Sequence, residues 1–418
     1  MVPNSWKNQS PTSLFKLFSG FAFKSTDAQE SGAKWLKIAN VGIGEIKWDA
    51  DSFLPEHFLL EHKKFALSKG DIVVALTRPT LGNKLKVARL TKESDTSLLN
   101  QRVAKIVCKE DADSEFVFQL LRSDEFAYRI NVGLLGTDPP NLSVKVLEDF
   151  TVGCPPLPEQ RKIAKILSTW DKAISTTEKL IETSKQQKKA LMQQLLTGKK
   201  RLGVESGSYS FQKTRYGDIP QDWEYPSIRE ICTQFSQKNT DAIDLPVLSC
   251  SKHLGFVDSL KYFKKKVYSD DTSGYKVIPL NFFGFPSNHI EEGSIGLQRV
   301  YDKGIVSPIY VVFQSNQERV NNEYLFSLLK TEHYRQIFCA ATNASVDRRG
   351  SLRWKEFSAI YVPLPPLKEQ QKIATVLTVA DKEIEVLEAK LTHFKQEKKA
   401  LMQQLLTGKR RVKVDEVA

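Results

Sequence analysis

Between Pro155 and Gly198 the chain follows one register, alternately four and three residues apart: Ile163, Leu167, Trp170, Ile174, Thr177, Ile181, Ser184, Lys188, Leu191 and Leu195. A second stretch, from Pro365 to Gly408, keeps that spacing through Ile373, Leu377, Ala380, Ile384, Leu387, Leu391, Phe394, Lys398, Leu401 and Leu405. This period belongs to an α-helix with one mainly apolar seam laid against a partner. Each stretch opens on Pro-Pro-Leu with a Glu in its first turn and closes on Leu-Leu-Thr-Gly, where glycine suits a left-handed cap. The spacing predicts two helices of about 39 residues, roughly 60 Å long at 1.5 Å per residue. Helices of that length need support along their sides, and the matching seams make each the other's partner.

The two stretches are copies. Residues 155–201 and 365–411 agree at 28 of 47 positions with an offset of 210, and KKALMQQLLTGK stands letter for letter at Lys188 and at Lys398. Repetition on that scale marks a duplicated structural unit. Agreement is uneven: residues 176–184 share only Glu178 with their counterparts. Besides the seam lysines Lys188 and Lys398, the repeated residues include Lys189, Gln193 and Gln194, matched by Lys399, Gln403 and Gln404. A seam does not require those side chains. Duplication alone could have left them, but the favoured reading is that one partner surface touches both copies.

What precedes each helix repeats more faintly. IPQDW (219–223) matches VPNSW (2–6), and EFVFQLLRSDEF (115–126) matches EYLFSLLKTEHY (323–334). Strand-like runs WLKIANV, GDIVVAL and VAKIVCK precede the first helix; LPVLSC, YKVIPLNFF, IGLQRVY and IVSPIYVVF precede the second. Each globular part shows a single clear helix near its end. DFTVGCPPL and FSAIYVPLPPL each predict a short strand leading into the long helix, and 203–215 is the one clear linker. The fold class is α+β: mixed domains at 1–154 and 204–364, and long helices at 155–203 and 365–413. Pairing the helices as an antiparallel coiled coil predicts a pseudo-twofold dumbbell.

Net charge is +12, of which the helical segments 155–203 and 365–413 carry +7 and +5 while each globular part carries +1. A polyanionic partner is expected. Apolar runs are too short to span a bilayer and no signal-peptide stretch opens the chain, so a soluble, cytoplasmic protein is expected. Five dispersed cysteines fit reduced thiols, and the spacing of His57 and His62 argues against a metal site.

Catalytic motifs are missing. Gly198-Lys199-Lys200 lacks the rest of a phosphate-binding loop, and Gly42-Ile43-Gly44 lacks the third glycine of a dinucleotide site. Asp138-Pro139-Pro140-Asn141 approaches the motif of amino-methyltransferases, but Asn141 replaces the aromatic that would stack on a flipped base.

PPLPEQRKIA and PPLKEQQKIA, both LLTGK ends, GDIPQDW, FSGFAFKS and LSKGDIVVA together resemble the specificity subunit of Type I restriction–modification systems. The resemblance covers nearly the whole chain, although the second part lacks a clean copy of GDIVVA. It implies two target recognition domains, each reading half of a split double-stranded DNA site, with long helices that space them and dock two modification (methyltransferase) subunits. The chain itself would bind no cofactor; S-adenosylmethionine, ATP and Mg would serve the modification and restriction subunits. Candidate base-reading residues are Thr77, Arg78, Asn83 and Lys84, then Asn141 and Ser143 in the Thr137–Ser143 loop. In the second domain they are Ser287 and Asn288 beside His289, Arg299, Arg348 and Arg349 in the Asp347–Ser351 loop, and Arg353. The candidate partner face is Lys188, Lys189, Gln193, Gln194, Lys398, Lys399, Gln403 and Gln404. Two rivals remain: a coiled-coil scaffold that binds only proteins, and a stand-alone DNA methyltransferase.

If the helices act as a ruler, seven residues inserted near 176–184 and at the matching point of the second helix preserve the seam and add about 10 Å. The gap between half-sites should then grow by roughly two to three base pairs, at about 3.4 Å each. Methylation of a spacer-length series checks this; an unchanged preferred gap contradicts it.

Overall fold

The structure, a computed structural model, describes residues 3–414 apart from 50–51, 137, 206, 242, 253 and 343–350. It forms two compact units, Met1–Glu178 with Ala389–Ala418, and Lys179–Glu388. The long helices are Leu157–Leu195 and Leu367–Leu405, each of 39 residues. Every seam position named above is buried or half-buried.

The first unit is built on an antiparallel sheet ordered Phe15–Ser19, Val103–Cys108, Ile72–Ala75, Val87–Arg89. All four residues of Ile72–Ala75 are buried, as an apolar central strand requires. A second sheet runs Phe53–Leu54, Ala33–Leu36, Ser97–Leu99, Ala66–Leu67, its central pair parallel. Helices Ser114–Leu121 and Asp124–Gly133 close the core. The second unit has an antiparallel sheet ordered Cys232–Phe235, Tyr310–Ser315, Phe283–Pro286, Gly296–Leu297, with helices Asn322–Leu329 and Glu332–Ala341.

Three expectations need correction. The single clear helix expected near the end of each domain is broken into two, because Ser123 and Thr331 accept a hydrogen bond from the backbone N–H of Phe126 and Tyr334 and restart the helix. The linker 203–215 is partly ordered: Phe211–Thr214 pairs with Gly217–Pro220 as a hairpin. Before the second long helix the expected strand is reduced to isolated bridges, Glu224 with Leu364 and Ser227 with Tyr361, whereas Val152–Cys154 pairs fully with Lys7–Gln9.

In the first unit Trp170 meets Phe394 edge to face at 5.5 Å, Lys398 pairs with Asp171 and Lys395 with Glu178. From Asp171 to Glu178 the ion-pair partner falls from Lys398 to Lys395, so the segments run antiparallel. In the second unit Lys188 pairs with Asp381 and Lys185 with Glu388. These are the same two pairs displaced by 210 residues.

A buried node anchors the start of each helix. Glu159 accepts hydrogen bonds from Trp6 Nε1 at 3.0 Å and from Arg411 Nε and Nη2 at 2.7 and 2.8 Å. Glu369 accepts from Trp223 Nε1 at 3.3 Å and from Arg201 Nε and Nη2 at 3.0 and 2.6 Å. The neighbouring glutamine links the long helix to the backbone just before a core helix. Gln160 accepts from Asp113 N–H and donates to the Asp111 and Pro155 carbonyls. Gln370 does the same with Asn321 N–H and the Arg319 and Pro365 carbonyls. Gly198 and Gly408 end the helices at φ +70° and +72°. A Cβ there would come within 2.3 Å of Pro220 or 2.5 Å of Pro3, so glycine lets the prolines of IPQDW and VPNSW close on the helix ends.

The Arg201–Glu369 pair is 5% and 8% exposed, while Lys185–Glu388 is about half exposed on both sides. Arg201→Ala should cost about 3–5 kcal/mol by leaving the buried Glu369 carboxylate with only the Trp223 indole N–H, whereas Glu369→Ala should cost less because Asp222 still holds the guanidinium. Lys185→Ala should cost about 0–1 kcal/mol. Chemical denaturation of the Arg201 and Lys185 variants checks the contrast; equal losses would contradict it.

Candidate nucleic-acid interface

Two loops that are distant in sequence meet in the first unit. After the buried strand Ile72–Ala75, the Leu76 carbonyl accepts from Leu142 N–H at 2.7 Å, and Arg78 N–H donates to the Pro140 carbonyl at 2.8 Å. Thr77 Oγ1 donates to Asn141 Oδ1 at 2.7 Å, and Asn141 Nδ2 donates to the Pro139 carbonyl at 3.1 Å. Thr77 and Asn141 thus belong to one surface, and the exposed Arg78 stands at its crest. Its φ is +48°, a backbone region that non-glycine residues seldom occupy and that surrounding bonds must enforce.

Other candidates are already engaged. Lys84 pairs with Asp124. Ser143 accepts from Val146 N–H as the cap of helix Val144–Glu148. Asn83 is exposed. Thr137 lies outside the described residues.

The second unit repeats the juxtaposition. After the buried strand Phe283–Pro286, the Ser287 carbonyl accepts from Leu352 N–H at 2.7 Å. Three residues past the strand, the place of Arg78 is taken by half-buried His289, whose Nδ1 lies 3.3 Å from Glu292 Oε1. Asn288 is half-buried, its Oδ1 without a partner among the described residues. His289, Glu291 and Glu292 also bring potential ligand atoms within 4.8 Å of one another, a grouping that pairwise histidine spacing could not disclose. Arg353 is exposed at the start of the short helix Trp354–Phe357. Arg299 pairs with Glu323 and lies over the Phe326 ring, 4.9 Å from its centroid. Arg348 and Arg349 lie outside the described residues.

The candidate partner face divides in two. Lys188 and Lys398 turn into the seam, each bonded to an aspartate. Lys189, Gln193, Gln194, Lys399, Gln403 and Gln404 are exposed, and Lys399 reaches Asp124 at 3.4 Å.

Lys398 lines an open groove of about 1760 Å³ in the first unit, beside Asp171 and Arg122. Burial foremost, then Arg122, pulls its ammonium pKa from 10.5 down to about 8, against the pull of the Asp171 carboxylate. Burial pushes Asp171 up, but Arg122 and Lys398 more than reverse this and hold it below its ordinary value. Missed by sequence reasoning was Asp171 as the hub of this groove, since its partners lie at Arg122, Gln119 and Lys398.

Similarity to known proteins covers both units. The family described as Type I restriction modification DNA specificity domain matches residues 3–186 and 220–395. The Type I restriction enzyme MjaVIII specificity subunit of Methanocaldococcus jannaschii is 38% identical over 202 residues, 48% of each chain. The putative MjaX specificity subunit of the same organism is 30% identical over 287 residues, 64% of this chain and 61% of that one. The chain therefore spans about half to three fifths of the length of these curated relatives. The fold is that of the Type I restriction–modification S subunit from M. genitalium, with a TM-score of 0.57 at 15% identity, covering 97% of this chain and 98% of that one.

Asp171→Ala should strand Lys398 beside Arg122 and cost about 3–5 kcal/mol at neutral pH. Lys398→Met leaves Asp171 bonded to Arg122 and Gln119 and should cost far less. The folded state releases the Lys398 proton near pH 8 and the unfolded state near 10.5, so in that window this group's contribution to stability rises with pH. The Asp171→Ala penalty should accordingly be smaller at pH 9 than at pH 7. Melts of both variants at the two pH values check this; a pH-independent penalty contradicts it.

Proposed function

Because the chain belongs to the Type I restriction–modification DNA specificity family, we propose that it reads a bipartite double-stranded DNA target, one half-site per unit, and directs adenine methylation and restriction by partner subunits. The observation that carries this reading is the repeated juxtaposition in which, just past a buried strand, Leu76 accepts a backbone hydrogen bond from Leu142 in the first unit and Ser287 accepts one from Leu352 in the second. Loops fixed to a rigid scaffold can hold side chains in register with base edges. Arg78 is the foremost reader, exposed on a backbone that its neighbours enforce. A bidentate bond from its guanidinium to guanine would supply sequence choice, while lysines on surrounding surface hold phosphates.

The chain contributes recognition and no catalysis. Methyl transfer from S-adenosylmethionine and ATP- and Mg-dependent translocation and cleavage belong to the modification and restriction subunits. Two modification subunits would dock on the exposed repeated residues, one at Lys189, Gln193 and Gln194, the other at Lys399, Gln403 and Gln404. Two copies of one surface suit two copies of one partner. The scaffold and stand-alone methyltransferase readings have no structural observation in their favour.

Modified-base sequencing of DNA from cells expressing the chain with its modification partner tests the proposal. A split methylated motif is expected; no motif would overturn it. Arg78→Ala should relax one half of that motif, at a cost of about 1–3 kcal/mol, and Arg348→Ala the other half. Loss of discrimination in both halves from either substitution would sink the two-reader scheme.

A further inference from the structure

Each globular part is nearly neutral, yet a protein that holds DNA needs a face where cations gather. In the second unit one surface segment answers this need. From Leu260 to Val267 eight consecutive residues are exposed: Leu260, Lys261, Tyr262, Phe263, Lys264, Lys265, Lys266 and Val267. Four are lysines, and the four others leave 52%, 47%, 43% and 46% of their surface in solvent for Leu260, Tyr262, Phe263 and Val267. Exposed apolar side chains grouped in this way mark a contact surface more often than scattered ones do.

The segment is held in shape. It is the short helix Ser259–Phe263 and the residues that leave it, capped by Asp258, which accepts from Lys261 N–H at 3.0 Å. Tyr301 OH donates to Asp258 Oδ2 and accepts from Lys261 Nζ, both at 2.8 Å, tying the helix to the 298–301 loop that carries Arg299. Lys264 takes φ +55°, which turns the chain sharply at the helix end. Lys266 pairs with Asp270 and Lys261 lies 3.8 Å from Asp258. Among the described residues, no carboxylate lies within ion-pair distance of Lys264 or Lys265. Two uncompensated cations thus stand beside two exposed rings that meet edge to face at 5.0 Å.

We propose that Leu260–Val267 is the phosphate-contacting face of the second unit, with Lys264 and Lys265 on the DNA backbone and Tyr262 and Phe263 against its sugars. This rests on the DNA-reading function proposed above. The chemistry favours a duplex backbone: adjacent lysines are point charges without the planar fork that reads bases, and rings beside them cover the apolar part of a sugar. The first unit has a comparable feature, the short helix Phe58–Glu61 followed by His62, Lys63 and Lys64, with Leu60 exposed at its surface.

The experiment uses the full chain reconstituted with its modification subunit and random-sequence duplex DNA, with affinity measured across a salt series. Lys264→Asn with Lys265→Ala removes both charges, and asparagine tolerates the left-handed backbone at 264. The slope of log affinity against log salt should become shallower by about 1.8, two contacts at about 0.9 each, and the methylated motif should keep its letters. Lys264→Arg with Lys265→Arg should restore the slope. An unchanged slope in a complex that binds DNA overturns this inference alone. A wild-type complex with no salt-dependent DNA binding overturns the DNA-reading function itself. Loss of the modification subunit from the Asn/Ala variant, seen by native mass spectrometry, would make the face a protein-docking surface and also overturn the inference.

Discussion

A carboxylate buried at the first turn of a helix cannot be left alone, and this chain buries one at the start of each long helix. The helix N-terminus favours its charge, but the desolvated oxygens still need donors. Glu159 and Glu369 find them in a tryptophan from the beginning of the adjoining globular part and an arginine from beyond the end of the other long helix. In the first unit three segments far apart in sequence therefore converge on one carboxyl group, and in the second the stretch carrying Arg201 and Trp223 closes on Glu369. Gln160 and Gln370 extend the node to the backbone just before the helices that close each core. With the helix starts fixed in this way, the antiparallel seam has only one register to occupy.

That register explains part of the repeat. Lys188 and Lys398 are seam residues with aspartate partners, Asp381 and Asp171, which are themselves copies of each other. Their environments differ. Lys398 is buried beside Arg122, whereas Lys188 remains partly exposed. Duplication preserved the pair while the surrounding surface changed, so identical letters do not carry identical energetics. The repeated residues that stay exposed, Lys189, Gln193 and Gln194 with their counterparts, take no part in the seam.

The helices were legible because a seam writes its period directly into the sequence, and the strands because short buried runs such as Ile72–Ala75 are uniformly apolar. The break at Ser123 was hidden: apolar spacing continues through EFVFQLLRSDEF, and only the capping hydroxyl divides it. The Glu-Gln nodes were visible as letters but not as interactions, since Glu159 and Arg411 are 252 residues apart. Of the candidate readers, Thr77, Arg78 and Asn141 come together, while Lys84, Ser143 and Arg299 serve an ion pair, a helix cap and an ion pair. A polar letter in a loop looks the same whether it faces solvent or closes a turn. SLKYFKKKVY did carry a signal, lysines interleaved with aromatics, but such a run reads the same on a solvated surface as on a contact face.

The division of the chain also has a consequence during synthesis. The unit comprising Lys179–Glu388 is one uninterrupted stretch, so all of its parts have left the ribosome once Glu388 has emerged. The unit that begins first is in a different position. Its core includes Leu405 and Leu406, and its Glu159 needs Arg411, so its opening residues must wait through more than half of translation for the pieces that complete them. Domains generally fold in the order of synthesis. Here the first to appear is the last to be finished, and throughout that interval its unfilled core depends on remaining soluble without its closing helix.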